Sequence, residues 1–378
     1  MSSLAPKGDF IGVEERVHLA AGGESPFLKS HVEALTRYAL DKSAGLPGRH
    51  RQLAVHNRAR ERAATLLGVS IDEVAFLPST SDGVNMVAQT IDFKPGDNVV
   101  VETIEFPSDV YPWLLQQENG VEVRFVGQGF DVPPGAIEAA VDARTRAVAL
   151  SHVSYLTGVR HDLRSVAEAA HVVGAVFIVD ASHALGVVPV EARVADFLFS
   201  CCYKWQLGCT GIAVGFWNRQ RQPDWAPAAA GWFSAQPAGG EGELRRHAFT
   251  PRDDAMRMTL GNPSFPGAYV VDNGFQYLLN VGIEKIEAHV LELTARLREG
   301  LAELGLEVLT PAETARRAGN VCIARTDGAR FAELLAERGV LVWEADGRVR
   351  YSTHLYNDGA DVDRAVEASR HALTTLGA

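Results

Sequence analysis

Lysine is scarce in this chain. The 36 basic residues divide into 30 arginines and six lysines: Lys7, Lys29, Lys42, Lys94, Lys204 and Lys285. Any amine chemistry therefore has a short list of candidates. Lys204 stands apart, because it follows the apolar run Phe197-Leu198-Phe199 and lies between Tyr203 and Trp205. A lysine in an apolar pocket has a depressed pKa and can attack an aldehyde as a neutral amine. A second apolar run, Phe177-Ile178-Val179, ends in Asp180, with His183 three residues on. A carboxylate at the end of a buried strand is costly when unpaired, so a cationic partner is expected for it. A lysine and a carboxylate in these settings are what pyridoxal phosphate requires. The lysine takes the aldehyde as a Schiff base. The carboxylate keeps the pyridine nitrogen protonated, so that the ring accepts electrons from a carbanion at a substrate Cα. Ser79-Thr80-Ser81, with Gly83 at a helix start, offers hydroxyls and backbone amides to the phosphate, and Phe106, just after a strand, offers an aromatic face to the ring. Taken singly, Asp180 and the serine triplet read as helix caps and Lys204 as a surface lysine. Their co-occurrence points to the cofactor.

The surrounding pattern supplies elements to position these groups. Residues 27–42 and 51–67 carry apolar side chains at helical spacing. Short strands are expected at 73–77, 98–102, 121–126, 147–151 and 176–179, with helical stretches at 84–91, 137–141 and 163–173 between several of them. Apolar strands alternating with helices imply an α/β fold, a largely parallel sheet covered on both faces. Ligands in such sheets bind beyond the carboxyl ends of the strands. From Pro266 to Leu304 the apolar residues recur as one long helix, bent at Gly282, and shorter elements follow. These patterns divide the chain into an N-terminal segment 1–15, a large domain 16–265 and a small C-terminal domain 266–378. Ala44 to His50 and Pro237 to Gly242 read as loops able to cover the site.

With these residues in order, the chain resembles the fold-type I pyridoxal-phosphate enzymes of the class V aminotransferase group, and within it the kynureninases. Phe106-Pro107-Ser108-Asp109, with Tyr111, is similar to the segment whose Phe stacks on the cofactor; Ser151 and Tyr155-Leu156-Thr157-Gly158 resemble the next cofactor loop. Asp180 and His183 match an Asp-x-x-His motif, and Tyr203-Lys204 a phosphate-contacting Tyr beside the Schiff-base Lys. Gly231-Trp232-Phe233 and Gly261-Asn262-Pro263 match segments whose Trp232 and Asn262 positions bind the phosphate. The resemblance implies a large domain built on a mostly parallel seven-stranded sheet, a small C-terminal α/β domain, and a homodimer whose active site lies at the subunit interface. It also implies that Arg350, in Arg350-Tyr351-Ser352-Thr353-His354, grips the substrate carboxylate through two parallel hydrogen bonds, with Tyr155 nearby. Desulfurases of the group carry a nucleophilic Cys on a loop shortly before that Arg. Here Cys322 precedes Arg350 by 28 residues in a strand-like run, so a persulfide-forming desulfurase is not expected. Cys201, Cys202 and Cys209 read as packing or phosphate-loop residues.

Composition narrows the partners. The formal charge is −11 with no basic block, which argues against nucleic acid and anionic membranes. Residues 1–10 lack an apolar core for a signal peptide, and no apolar run is long enough to span a bilayer. The four cysteines have no zinc-site spacing and read as reduced thiols of a cytoplasmic protein, and the twelve histidines suggest no metal. The expected activity is therefore on an α-amino acid, with cleavage or elimination at Cβ by a kynureninase-like hydrolase or a C–S lyase. A class V aminotransferase is the alternative, ahead of a racemase or a sugar aminotransferase.

Overall fold

The computed structural model describes residues 1–236 and 249–377; Pro237 to Gly242, expected as a loop, lie outside them. The chain begins with a two-residue strand β1 (Val17–His18) and the helices α1 (Ser30–Lys42) and α2 (Gly45–Leu67). Ala44 to His50 is thus not a covering loop but the turn into α2 and its first residues. Gly45, at φ +60°, reverses the chain, and Pro47 falls in the first turn, where a missing N–H is harmless. The turn is tight: a Cβ on Gly48 would lie 1.8 Å from the Asp41 carbonyl oxygen. The Gly-Leu-Pro-Gly composition reflects close helix crossing rather than a loop.

Seven strands form the main sheet: β2 (Val74–Leu77), β3 (Asn98–Glu102), β4 (Glu122–Val126), β5 (Thr145–Ser151), β6 (Val176–Asp180), β7 (Phe197–Cys201) and β8 (Ala213–Trp217). Their order is β2-β8-β7-β6-β5-β3-β4, parallel except for β8, which runs antiparallel to both neighbours. The expected mostly parallel seven-stranded sheet is therefore present. Helices α3 (Thr80–Ala88), α4 (Tyr111–Leu114), α5 (Ala136–Ala140) and α6 (Leu163–Val172) lie between its strands in sequence. The sheet is apolar on both faces. Phe177 and Val179 of β6 belong to one core cluster, and Ile178 to the other. Burial on both sides is why these strands read as continuous apolar runs. The register sets Ser151 opposite Asp180 and Asp180 opposite Phe199, so the ends of β5 and β6 deliver polar side chains at one level.

Helices α7 (Phe265–Val281) and α8 (Ile283–Glu303) follow, broken at Gly282 with φ +92°, where the bend was expected. Then come β9 (Asn320–Ala324), α9 (Gly328–Glu337), β10 (Val340–Leu341), β11 (Trp343–Ala345), β12 (Arg348–Ser352) and α10 (Gly359–Leu376). Strands β11, β12 and β9 make an antiparallel sheet whose Val349 and Tyr351 pack with α8, α9 and α10. Strand β1 pairs in parallel with β10, and Val17 and Leu19 join that same cluster. We propose residues 16–265 and 266–378 as the two domains after the segment 1–15, with β1 reaching across from the larger to the smaller. Ile178, buried on the central strand, tests the packing. Ile178→Ala should destabilise the chain by about 2–5 kcal/mol, read as a lowered denaturant midpoint with an unchanged slope.

Candidate active site

The residues expected to do chemistry converge at the carboxyl ends of β3, β5, β6 and β7. Asp180, the last residue of β6, is buried, and its Oδ1 accepts the Ser182 N–H at 2.6 Å. Contrary to expectation, no cation lies within ion-pair distance of it among the described residues. The neighbouring buried groups are instead acids. Asp109, held by the 3-10 turn Pro107–Asp109 that follows Phe106, is fully buried, with its Oδ2 unpartnered. Burial, reinforced by Asp180 and Glu105, holds the Asp109 carboxyl well above the usual carboxylate range. Glu105 accepts the Ser151 N–H at 2.7 Å and the Ser151 hydroxyl at 2.6 Å. Its carboxyl is pushed up to about 8 by burial, then by Glu102 and Asp180. Ser151 is thus engaged with a carboxylate that the sequence reading did not single out, although Glu105 directly precedes the Phe106 motif.

Lys204 lies beyond the end of β7, in a turn fixed from several sides. Leu207 takes the left-handed conformation at φ +54°, its carbonyl contacted by His31 Nε2 at 2.7 Å. Trp205 is fully buried, donating to the Thr353 carbonyl and accepting from His354. Lys204 Nζ lies 3.0 Å from His183 Nε2, 5.7 Å from the centre of the Phe106 ring and 5.6 Å from that of Tyr203. The His183 ring is oriented from its other side. Asn320 Oδ1 accepts the Ser352 hydroxyl at 2.9 Å, which turns the Asn320 amide N–H towards His183 Nδ1 at 3.1 Å. Burial, with Lys204 and then Arg350 and Arg348 beside it, holds His183 well below its ordinary pKa, so the ring is neutral. Asn320 was not anticipated; its role depends on a contact across 137 residues of sequence.

The serine triplet divides. Ser79 caps α3, accepting the Asp82 N–H and donating to its carboxylate at 2.6 Å. Thr80 Oγ1 lies 3.4 Å from Ser182 Oγ, and Ser81 Oγ 2.7 Å from Ser108 Oγ. Ser108 and Ser182 thus join the group unforeseen. Gly83 is needed where α3 crosses the sheet, because a Cβ there would lie 2.2 Å from the Phe199 ring. Ser81 and Asn262 line one cavity of about 610 Å³, together with Pro78, Gly211 and Thr259. Asn262 Oδ1 accepts from Arg49 at 2.6 Å, and Trp232 is exposed, stacked edge-on against Phe233. Neither contacts Lys204, His183 or Asp180 among the described interactions. Tyr203 is tied at its carbonyl, which accepts from both the N–H and the hydroxyl of Ser25 at 3.1 Å.

The opposite wall is cationic. Arg350 is buried, donates from Nη1 to the Tyr155 carbonyl at 2.9 Å, and has an unpartnered Nε. Burial and the neighbouring Arg348 lower its pKa to about 9. Burying an unpaired charge is expensive by several kcal/mol, so this guanidinium is poised for an anion. The Tyr155 ring stands edge-on to Phe106, with centres 5.2 Å apart, and its hydroxyl donates to Asp346. Gly22 lies against this wall: a Cβ would be 2.7 Å from Ser352 Oγ and 2.9 Å from both Arg350 Nε and the Trp205 ring. A Cβ on Gly23 would lie 2.1 Å from the Trp343 ring. The paired glycines Gly22 and Gly23, just after β1, therefore let the backbone close on the site.

The acids and the hydrogen-bonded Asp180 fit pyridoxal phosphate. A pyridine N–H would be the cation that Asp180 lacks, with Phe106 offering an aromatic face to the ring and Lys204 an amine to the aldehyde. Comparison with known proteins agrees. Residues 28–365 match the profile of the aminotransferase class-V family. A probable cysteine desulfurase of Methanothermobacter thermautotrophicus is 27% identical, the alignment covering 93% of each chain. A kynureninase of Pseudomonas fluorescens is 28% identical over 82% of this chain and 77% of its own. The solved apo structure of a cysteine desulfurase from Thermococcus onnurineus NA1 superposes with a TM-score of 0.88 at 24% identity, covering 99% of this chain and 100% of its own.

Glu105 gives the acid cluster a measurable signature. A carboxyl whose folded pKa exceeds its unfolded one adds stability below the unfolded value, and loses it as pH rises to the folded one. Glu105 moves from 4.5 to about 8. The denaturant midpoint should therefore fall from pH 4.5 to pH 8, and Glu105→Gln should flatten that fall. An identical slope in the variant would overturn the assignment.

Proposed function

The chain belongs to the aminotransferase class-V family, whose members are pyridoxal-phosphate enzymes, and from that premise we propose that it breaks a bond at the β-carbon of an α-amino acid. The observation that carries this reading is Lys204 Nζ, 3.0 Å from His183 and facing Phe106, at the end of the sheet that buries Asp180. Bound there, the cofactor supplies an electron sink for a carbanion at the substrate α-carbon.

The residues divide the remaining work. Lys204 would be the covalent anchor of the cofactor and the base for the proton on Cα. Asp180 would hold the proton of the pyridine nitrogen. His183, fixed by Asn320, would contact the ring substituents from beside Lys204. Phe106 would offer its aromatic face to the ring. Thr80, Ser81, Ser108 and the amides at the start of α3 would hold the phosphate, with Tyr203, Trp232 and Asn262 completing its surroundings in a homodimer. Asp109, kept protonated, and Glu105 with Ser151 line the same floor. Arg350 would take the α-carboxylate and so orient the substrate, while Tyr155 borders the side-chain direction.

Cleavage at Cβ is supported by the names of the relatives. A desulfurase breaks a Cβ–S bond and a kynureninase a Cβ–C bond, and both relatives align along most of their length. Cys322 does not fit the part of a sulfur carrier. It is buried in β9 opposite Arg350, and burial pushes its thiol up. The reading is therefore a β-lyase or hydrolase whose leaving group departs without capture by this chain.

Lys204→Ala should abolish turnover and the visible absorbance of the reconstituted enzyme. Arg350→Gln should lower kcat/KM by about tenfold or more, the equivalent of a charged hydrogen bond. With L-cysteine, L-cystine and L-kynurenine supplied and no keto acid present, the enzyme should keep turning over. Arrest after one turnover, relieved by a keto acid, would identify a transaminase instead.

A further inference from the structure

A second arginine shares the wall that holds Arg350. On β12, Val349 and Tyr351 pack into the C-terminal core, so Arg348, Arg350 and Ser352 face the other way, towards the large sheet. Arg348 is as buried as Arg350. The two are anchored alike: each Nη1 donates to one backbone carbonyl, Arg348 to Trp343 at 3.2 Å and Arg350 to Tyr155 at 2.9 Å, and each Nε is buried without a partner. Among the described residues, neither guanidinium has a carboxylate within ion-pair distance. Asp346, two residues before Arg348, accepts the Tyr155 hydroxyl instead.

Both arginines border the catalytic space. The Arg348 guanidinium lies 5.6 Å from the centre of the Tyr155 ring, which in turn stands against Phe106, and Phe106 faces Lys204. His183 is disfavoured as a cation first by burial, then by Lys204, Arg350 and Arg348. Arg348 is also placed with precision. The turn joining β11 to β12 is the two-residue Asp346-Gly347, with both residues at positive φ, so the hairpin register fixes the residue that follows. A structural arginine serving only the hairpin would be expected on its solvated side; this one is inside, beside a like charge.

We infer that Arg348 binds a second anionic group on the substrate, so that the enzyme selects amino acids with an acidic side chain, as carboxylate or sulfinate, over neutral ones. This rests on the proposed cofactor chemistry at Lys204 and on Arg350 taking the α-carboxylate. Residues two apart on one strand face are about 6.6 Å apart at their backbones. Guanidiniums carried on side chains at that spacing can each take one end of a short dianion.

Non-reactive acids test this without turnover. Binding of succinate and of propionate to the holoenzyme is measured by isothermal titration, and by the thermal midpoint of the wild type, Arg348→Gln and Arg348→Lys. Succinate should bind the wild type about tenfold or more tightly than propionate, and Arg348→Gln should remove that preference while leaving propionate within about threefold. Arg348→Lys should restore part of it, because the charge remains without the planar fork. L-cysteine sulfinate and L-aspartate should likewise outcompete L-cysteine and L-asparagine. Equal binding of succinate and propionate by the wild type overturns the inference, whether or not the variants fold. So does a preference that survives in Arg348→Gln. Failure of the underlying reading looks different: the purified chain would take up no pyridoxal phosphate, or Lys204→Ala would retain its visible absorbance.

Discussion

Among the described residues, the carboxylate of Asp180 is buried at the end of β6 with a backbone N–H against it and no cation, and the guanidiniums of Arg348 and Arg350 are buried on β12 with no carboxylate against them. Either arrangement alone would be destabilising in a low-dielectric interior. Among the described residues, Phe106, Tyr155, His183 and Lys204 stand between them, and none is an acid–base pair that would neutralise the two walls. The floor lessens its own cost by holding protons, as the raised Glu105 and Asp109 show. The opposite wall has no comparable relief beyond the lowered pKa of Arg350. A ligand with a cationic ring nitrogen at one end and anionic groups at the other fits this polarity. So does cofactor joined to amino acid.

This polarity explains which residues could be read from the sequence. Lys204 and Asp180 were legible because each ends an apolar strand, and a polar residue ending such a run has few structural uses. Phe106 and Asp109 were legible through a local motif. Arg350 was legible only by resemblance, since 30 arginines give no single one prominence. The α/β alternation gave the sheet and the break at Gly282 correctly, because periodicity and glycine act locally.

The missed residues share a different property: their role exists only after folding. Asn320 orients His183 across the interface between β9 and the β6 end. Ser108 and Ser182 meet Ser81 and Thr80 from loops that sequence separates. Gly22 and Gly23 carry no signal of their own, and their importance lies in what a Cβ would strike. Arg348 was passed over for the same reason as most arginines, although it stands two residues from Arg350. Ala44 to His50 was misread because glycine and proline mark both loops and tight helix crossings, and only the Gly48 contact with Asp41 distinguishes them. Asp180 was expected to find its cation within the protein, and the mistake is informative, because a site built for a charged ring leaves that place to the ring.

The position of Cys322 bears on how sulfur chemistry would proceed here. It pairs across β9 and β12 with Arg350, so it stands on a strand beside the residue proposed to bind the carboxylate rather than on a loop before it. Its N–H is bonded to Thr310, whose own hydroxyl donates to the Thr157 carbonyl. Opposite residues of an antiparallel pair share a face, so the Cys322 thiol lies on the same side of the small sheet as the Arg350 guanidinium, held by a paired strand. Burial raises its pKa, with Arg348 and Arg350 opposing. A buried thiol kept protonated on a strand is a poor nucleophile for a substrate sulfur, and the hairpin Trp343 to Ser352, short and set by Asp346-Gly347, holds the two arginines in place beside it.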